Sequence, residues 1–220
     1  NADLGIAVDP DVDRLVFVCE DGVIFGEENT LVACSDYVLG KTPGPTVSNL
    51  SSSRALNDIT QIHNETHFYS AVGEVNVIEK MKKCNAVIGG EGNGGVIYPK
   101  SHYGRDAIVG IGLFLSLYSE RGLKASELLE TYPKYFMLKE KINLSNNLNV
   151  DKILNQIATK YKNEKLDLID GVRIDFNESW VQLRKSNTES IIRIYSEAKS
   201  IDKAAELVNE IDDLVKEIIN

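Results

Sequence analysis

The stretch from Leu4 to Val18, LGIAVDPDVDRLVFV, constrains this chain more than any other. Two apolar runs rich in Val, Ile and Leu suit two buried strands. Between them Asp9, Asp11 and Asp13 stand at alternate positions, and Arg14 follows at once. A backbone that turns here brings alternate carboxylates towards one point, where they repel unless a cation sits among them. Hard oxygen donors with no Cys or His nearby suit Mg2+ better than Zn2+. A solvated acidic turn is the plain alternative, and the flanking strands with Arg14 favour the metal site. Asp9, Asp11, Asp13 and Glu20 also match loop positions one, three, five and twelve of an EF-hand, but Arg14 stands where that loop needs Gly.

Composition narrows what the metal can serve. The 220 residues suffice for one large or two small domains, and 43% hydrophobic with 26% charged residues is ordinary for a globular chain. The net charge of -9, with Lys and Arg scattered among acids, leaves no basic patch for a nucleic acid. No apolar run is long enough to span a bilayer and no signal-peptide pattern opens the chain, so no membrane partner is expected. Cys19, Cys34 and Cys84 are isolated and odd in number, which reads as free thiols in a reducing cytoplasm. The chain opens at Asn1 with a strand almost immediately after it, as expected of a piece of something longer.

Beyond the aspartates, Leu15 to Cys19 reads as a strand and Val23 to Phe25 as its return. A helix is predicted from Glu28 to Gly40, and the breaker cluster Lys41 to Pro45 marks a candidate boundary. Strands at Thr46–Asn49, Thr66–Tyr69 and Ala86–Gly89 then alternate with helices at Ser52–Thr60, Gly73–Cys84 and Gly104–Arg121. A further helix, Ala125–Tyr132, is expected to be capped near Ser126. Such alternation implies a mostly parallel α/β layer, with ligands at the carboxyl ends of its strands. After Pro133 the pattern changes to strand (Met137–Leu144), helix (Val150–Tyr161), three strands (Leu168–Phe176, Trp180–Leu183, Ile191–Tyr195) and a final helix capped by Ser200, a small α+β domain. The lysine-rich tract Lys160 to Lys165 reads as a solvated helix end.

Two further loops carry chemistry. Gly89 to Gly95, GGEGNGG, follows a strand; its glycines allow close backbone approach, while Glu91 and Asn93 suit the vicinal hydroxyls of a polyol. It matches neither nucleotide-binding glycine pattern. Arg184 to Ser190, RKSNTES, lies between two strands. Arg184, Lys185, Ser186, Asn187 and Thr188 form a dense donor set for a phosphate, to which Arg193 adds a charge or stands as an exposed strand residue. Each loop taken alone is also readable as structural.

In that order, an acidic loop, a polyol loop and a phosphate loop, the three resemble the α-D-phosphohexomutase family of phosphoglucomutases, phosphomannomutases and phosphoglucosamine mutases. Asp9 to Arg14 resembles the DxDxDR metal loop, Gly90 to Gly95 the GExxG sugar loop, and Arg184 to Glu189 the RxSNTxP-type phosphate loop, with Ser190 near the usual proline. Val47 to Ser53 and Val72-Gly73-Glu74 are similar as well. The resemblance implies the tail of domain two over residues 1–25, an α/β domain three over 26–135, and a TATA-box-binding-protein-like α+β domain four over 136–220. It implies Mg2+ on Asp9, Asp11 and Asp13, Arg14 beside the transferring phosphoryl, and a hexose phosphate held by Glu91, Asn93, Arg184, Ser186, Asn187, Thr188 and Arg193. Transfer would run from a phosphoserine through a bisphosphate. The TASHNP-like serine loop of domain one has no counterpart here, so the N-terminal domains are expected as partners and the fragment alone is expected to be inactive. Ala71 departs from relatives that carry a lysine before the Val-Gly pair. A haloacid-dehalogenase-type phosphatase, with Asp9 as nucleophile, and a non-catalytic sugar-phosphate-binding module are the competing readings.

Overall fold

A computed structural model describes residues 2–143, 149–186 and 191–219. The chain divides into two compact units, one through Lys134 and the other from Tyr135 onwards. The cluster Lys41 to Pro45 is therefore no boundary between units. It lies within the first and carries the chain from a helix to a strand.

The first unit begins with a two-stranded antiparallel ribbon, β1 (Leu4–Val8) and β2 (Leu15–Cys19), in register from Leu4 opposite Cys19 to Val8 opposite Leu15. Only β2 is the buried strand that the sequence suggests. Leu15, Phe17 and Cys19 point inward, whereas Ile6 and Val8 are about half exposed. The difference follows from packing: β2 lies against three helices, while β1 has β2 as its sole strand neighbour among the described residues. Val23 to Phe25 forms only one bridge, Ile24 to Val18, before Gly26 starts the next helix.

That helix is α1 (Glu27–Lys41), and β3 (Thr46–Asn49), α2 (Ala55–Ile62), β4 (His67–Ser70) and α3 (Glu74–Cys84) follow it. A hairpin, β5 (Ile88–Glu91) and β6 (Gly95–Ile97), then leads to α4 (Ala107–Arg121) and α5 (Ala125–Glu130). The sheet order is β4-β3-β5-β6; β3 runs parallel to β4 and β5, and only β6 is antiparallel. The mostly parallel α/β layer expected from the alternation is thus present. Strand β5 reaches two residues past its expected end at Gly89, to Glu91, and contact along it is too close for side chains at Gly89 and Gly90. A Cβ at Gly89 would lie 2.7 Å from the Val47 carbonyl and 2.7 Å from Met81 Sδ. Helix α3 covers one face of the sheet through Val77 and Met81 against Val47 and Ile97. Across the unit, Phe17 stacks on Phe114 at 3.7 Å between ring centroids, and Phe25 and Tyr132 complete the aromatic cluster edge-on. Asp106 caps α4 by accepting the Val109 N–H at 3.0 Å. For α5 the residue before the helix is Lys124, whose N–H reaches Glu127; Ser126 instead donates to Glu20.

The second unit is a five-stranded antiparallel sheet with two helices on one face. Its elements are β7 (Phe136–Asn143), α6 (Val150–Lys160), β8 (Lys165–Asp167), β9 (Val172–Asp175), β10 (Trp180–Lys185), β11 (Ile191–Ala198) and α7 (Ile201–Ile219), with strand order β7-β11-β10-β9-β8. The single strand expected over Leu168–Phe176 is instead the hairpin β8–β9. Leu168 and Ile169 are exposed in its turn, and Lys165, expected in a helix end, opens β8 opposite Asp175. Helix α7 buries Ala204, Leu207, Val208, Ile211, Leu214 and Val215 as its stripe requires, and Ser200 Oγ accepts the Lys203 N–H. Among the described residues no helix is long and apolar enough to cross a membrane. All three cysteines are unpaired, and burial pushes the Cys34 thiol up to about 12.

Phe17 is fully buried at the centre of the aromatic cluster. Phe17→Ala is expected to destabilise the first unit by about 3–5 kcal/mol, read from urea unfolding followed by far-UV circular dichroism.

Candidate metal and sugar-phosphate site

The aspartate loop is held by its own first carboxylate. Asp9 Oδ1 accepts the backbone N–H groups of Asp13 and Arg14, each at 3.1 Å, while the Asp9 carbonyl accepts the Val12 N–H. The tight turn places Val12 at φ +59°, a left-handed conformation that a β-branched residue rarely adopts. As a result Asp9, Asp11 and Asp13 bring one oxygen each within 4.8 Å of one another. Strands flank this loop on both sides, which removes the EF-hand reading, since that motif needs helices.

The neighbouring carboxylates act on one another electrostatically. Burial raises the Asp13 carboxyl above its ordinary range; Arg105 opposes that effect, and the neighbouring Asp9 and Asp11 add to it. For Asp9, desolvation is outweighed by hydrogen bonds from the Arg14 N–H and from Asp13, and its carboxyl falls below the usual range. Asp13 Oδ1 is buried without a hydrogen-bond partner. An orphaned carboxylate oxygen beside two other carboxylates, all hard donors, fits a divalent ion such as Mg2+. Arg14 Nε lies 3.6 Å from both Asp9 and Asp13 and its side chain is half exposed, so it remains available to an anion in front of the loop.

The glycine loop is joined to the aspartate loop by backbone contact. The Leu15 N–H donates to the Gly94 carbonyl at 3.2 Å. Gly94 has φ +86°, and a Cβ there would collide with the Leu15 backbone, so only glycine fits. Glu91, at the end of β5, is nearly buried. Its Oε1 accepts from Asn49 Nδ2 at 2.7 Å and from the Gly73 N–H at 3.0 Å, and its Oε2 from Arg105 at 3.1 Å. Asn93 Oδ1 accepts the Gly95 N–H, which leaves the amide NH2 as a donor. Ser52 Oγ accepts the Gly92 N–H and itself donates to Asn49 Oδ1, so Asn49 orders both the loop and its carboxylate.

Arg105 and Asn49 are the residues that sequence reasoning did not assign. Arg105 pairs with Asp13 and Glu91, and its N–H donates to Glu74 at 2.7 Å. Its Nε is buried without a hydrogen-bond partner. The signal lay in Asp106: an aspartate before an apolar run is a helix cap, which starts the helix at Ala107 and leaves Arg105 in the loop rather than inside the helix.

In the second unit, Arg184 on β10 stands directly opposite Arg193 on β11. Like charges at facing positions destabilise a sheet unless an anion joins them. Arg184 Nε is buried without a hydrogen-bond partner, and Ser186, at the start of the connecting loop, is buried too. Asn187 and Thr188 lie outside the described residues.

The first unit thus joins an acidic loop to a glycine loop on a mostly parallel α/β layer, and the second is an antiparallel α+β unit with two arginines facing each other across a strand pair. Comparison with known proteins places this architecture. Residues 27–135 match the family model for phosphoglucomutase/phosphomannomutase, alpha/beta/alpha domain III, and residues 141–214 match its C-terminal domain. A phosphoglucomutase/phosphomannomutase of Thermococcus kodakarensis is 38% identical over 93% of this chain and 45% of its own length. A phosphoglucosamine/phosphogalactosamine mutase of Sulfurisphaera tokodaii is 34% identical over 97% of the chain and 48% of its own length. A crystal structure of a phosphoglucomutase/phosphomannomutase family protein from Burkholderia thailandensis superposes with a TM-score of 0.84 at 25% identity, covering 98% of this chain and 47% of that one. The chain belongs to the phosphoglucomutase/phosphomannomutase family, and it spans about half the length of the curated relatives it matches. Family membership sets aside the haloacid-dehalogenase reading.

The strain at Val12 gives a direct check on the loop geometry. Val12→Asn, which tolerates the left-handed region, is expected to stabilise the first unit by about 1 kcal/mol in urea unfolding.

Proposed function

We propose that this chain is the part of a phosphohexomutase that holds Mg2+, the sugar ring and the non-reacting phosphate during interconversion of hexose 6-phosphate and hexose 1-phosphate. The observation that carries the reading is the orphaned, buried Asp13 Oδ1 within a cluster of three carboxylates. Asp9, Asp11 and Asp13 would hold the ion. When bound, Mg2+ supplies charge neutralisation on a phosphoryl group in transfer. Arg14, half exposed beside that cluster, faces the same phosphoryl oxygens and adds a guanidinium.

Glu91 and Asn93 are the ring-hydroxyl contacts, an acceptor and a donor. Arg184, Ser186, Asn187, Thr188 and Arg193 hold the phosphate that does not react, and the facing Arg184–Arg193 pair supplies two positive charges for it. The phosphoryl donor is a phosphoserine outside these 220 residues. It passes its phosphoryl to the free hydroxyl of a hexose monophosphate, leaving serine and a hexose bisphosphate. The bisphosphate turns over in the pocket, and its other phosphoryl returns to the serine. Such a pocket must accept two poses of one sugar, which suits donor-rich loops better than a shape-specific cavity. Relatives named for glucose, mannose, glucosamine and galactosamine phosphates support a hexose phosphate as the substrate class. The free thiols are in keeping with a reducing cytoplasm.

Without the serine, the isolated chain binds hexose phosphate but does not turn it over. Calorimetry with glucose 6-phosphate is expected to show binding that Arg184→Ala weakens by about tenfold or more, the loss of one charged hydrogen-bond donor. Unchanged affinity removes Arg184 from the site. Mutase turnover by this chain primed with glucose 1,6-bisphosphate refutes the external donor.

A further inference from the structure

Arg105 stands outside every motif, yet it touches two of the loops and the turn beside them. Its guanidinium pairs with Asp13 Oδ2 on the aspartate loop and with Glu91 Oε2 on the glycine loop at 3.1 Å. Glu74, at the start of α3, accepts the Arg105 N–H at 2.7 Å and lies 3.8 Å from its Nε. The neighbouring Gly73 N–H donates to Glu91 Oε1, which closes a ring of Arg105, Glu91 and the Gly73-Glu74 turn. These side chains are largely buried: 14% exposed for Arg105, 19% for Asp13 and 7% for Glu91.

We propose that Arg105 is a positioning residue that sets Asp13 for the metal and Glu91 for the sugar at once, coupling the two half-sites. The inference rests on the reading of this chain as the metal- and sugar-binding part of a phosphohexomutase. Its physical basis is the division of labour within Asp13. One carboxylate oxygen is committed to Arg105, and the other is left buried without a hydrogen bond beside Asp9 and Asp11. A planar guanidinium spans both carboxylates with separate N–H groups, which fixes the rotamer of each against the other; a lysine ammonium offers a point charge and no such fork. Hydrogen-bond partners of ligating carboxylates typically govern metal affinity by 10–100-fold. Helix α4 holds the arginine in place: Asp106 caps the helix, and the Ala107 N–H donates to the Val12 carbonyl within the aspartate loop at 3.1 Å.

The test uses Mn2+ as the probe, followed by electron paramagnetic resonance, on the 220-residue chain and on its Arg105→Met and Arg105→Lys variants. Arg105→Met is expected to weaken Mn2+ binding by about 10–100-fold. Arg105→Lys, which keeps the charge, is expected to fold and to recover only part of that loss. If Arg105→Met does not fold, Arg105→Lys carries the test, and a several-fold loss supports the proposal. The readout that separates positioning from bulk stability is coupling: saturating Mn2+ changes the affinity for glucose 6-phosphate in the unaltered chain, and either substitution reduces that change. Mn2+ affinity equal to that of the unaltered chain in every folded variant overturns the role of Arg105 alone. Failure of the unaltered chain to bind Mn2+ overturns the parent reading and this inference together.

Discussion

The first unit is organised around a charge conflict between carboxylates. Asp9, Asp11 and Asp13 converge because Asp9 caps a tight turn, and Glu91 is drawn towards them because Leu15 and Gly94 meet backbone to backbone. Arg105 answers the part of that charge facing the sheet. The Asp13 oxygen turned away from it has Arg14 Nε at 3.6 Å but no hydrogen bond, and a buried acceptor without one is costly enough to need a reason. The metal site we propose supplies that reason. The left-handed backbone at Val12 fits the same account, since local strain persists where the surrounding structure over-determines a loop.

The second unit poses the complementary conflict. Arg184 and Arg193 face each other across β10 and β11, and like charges directly opposite are unfavourable in a sheet. The opposite face of the same strands, with Val181, Leu183, Ile192 and Ile194, is packed against α6 and α7 in an apolar core. The face that carries Arg184 and Arg193 is more polar: it also holds Trp180, Gln182, Arg173 and Glu197, all buried, with Trp180 Nε1 donating to Glu197 at 2.7 Å.

Much of this was legible in the chain because the signals are local. The alternation of Asp9, Asp11 and Asp13 is written in consecutive residues, and so is the apolar stripe of α7. What failed was long-range. The apolar run of β1 carries no information about what covers it, so Ile6 and Val8 read as core although they are exposed. Gly90 read as loop because propensity disfavours glycine in strands, while the close approach of the Gly95 backbone requires it there. Leu168 to Phe176 read as one strand because its apolar ends hid a turn at Asp170-Gly171. Arg105 was invisible for the same reason: its partner Asp13 is 92 residues away, and a lone arginine before a helix has no pattern.

The central claim is that the three aspartates form a metal site, and diffraction tests it most directly. Crystals of this chain soaked in MnCl2 and measured near the manganese edge are expected to give an anomalous peak between Asp9, Asp11 and Asp13, within about 2.0–2.4 Å of a carboxylate oxygen from each. The Arg105 guanidinium is expected to remain on Asp13 Oδ2. No peak there, with the Asp13 carboxylate turned wholly onto Arg105, would contradict the account.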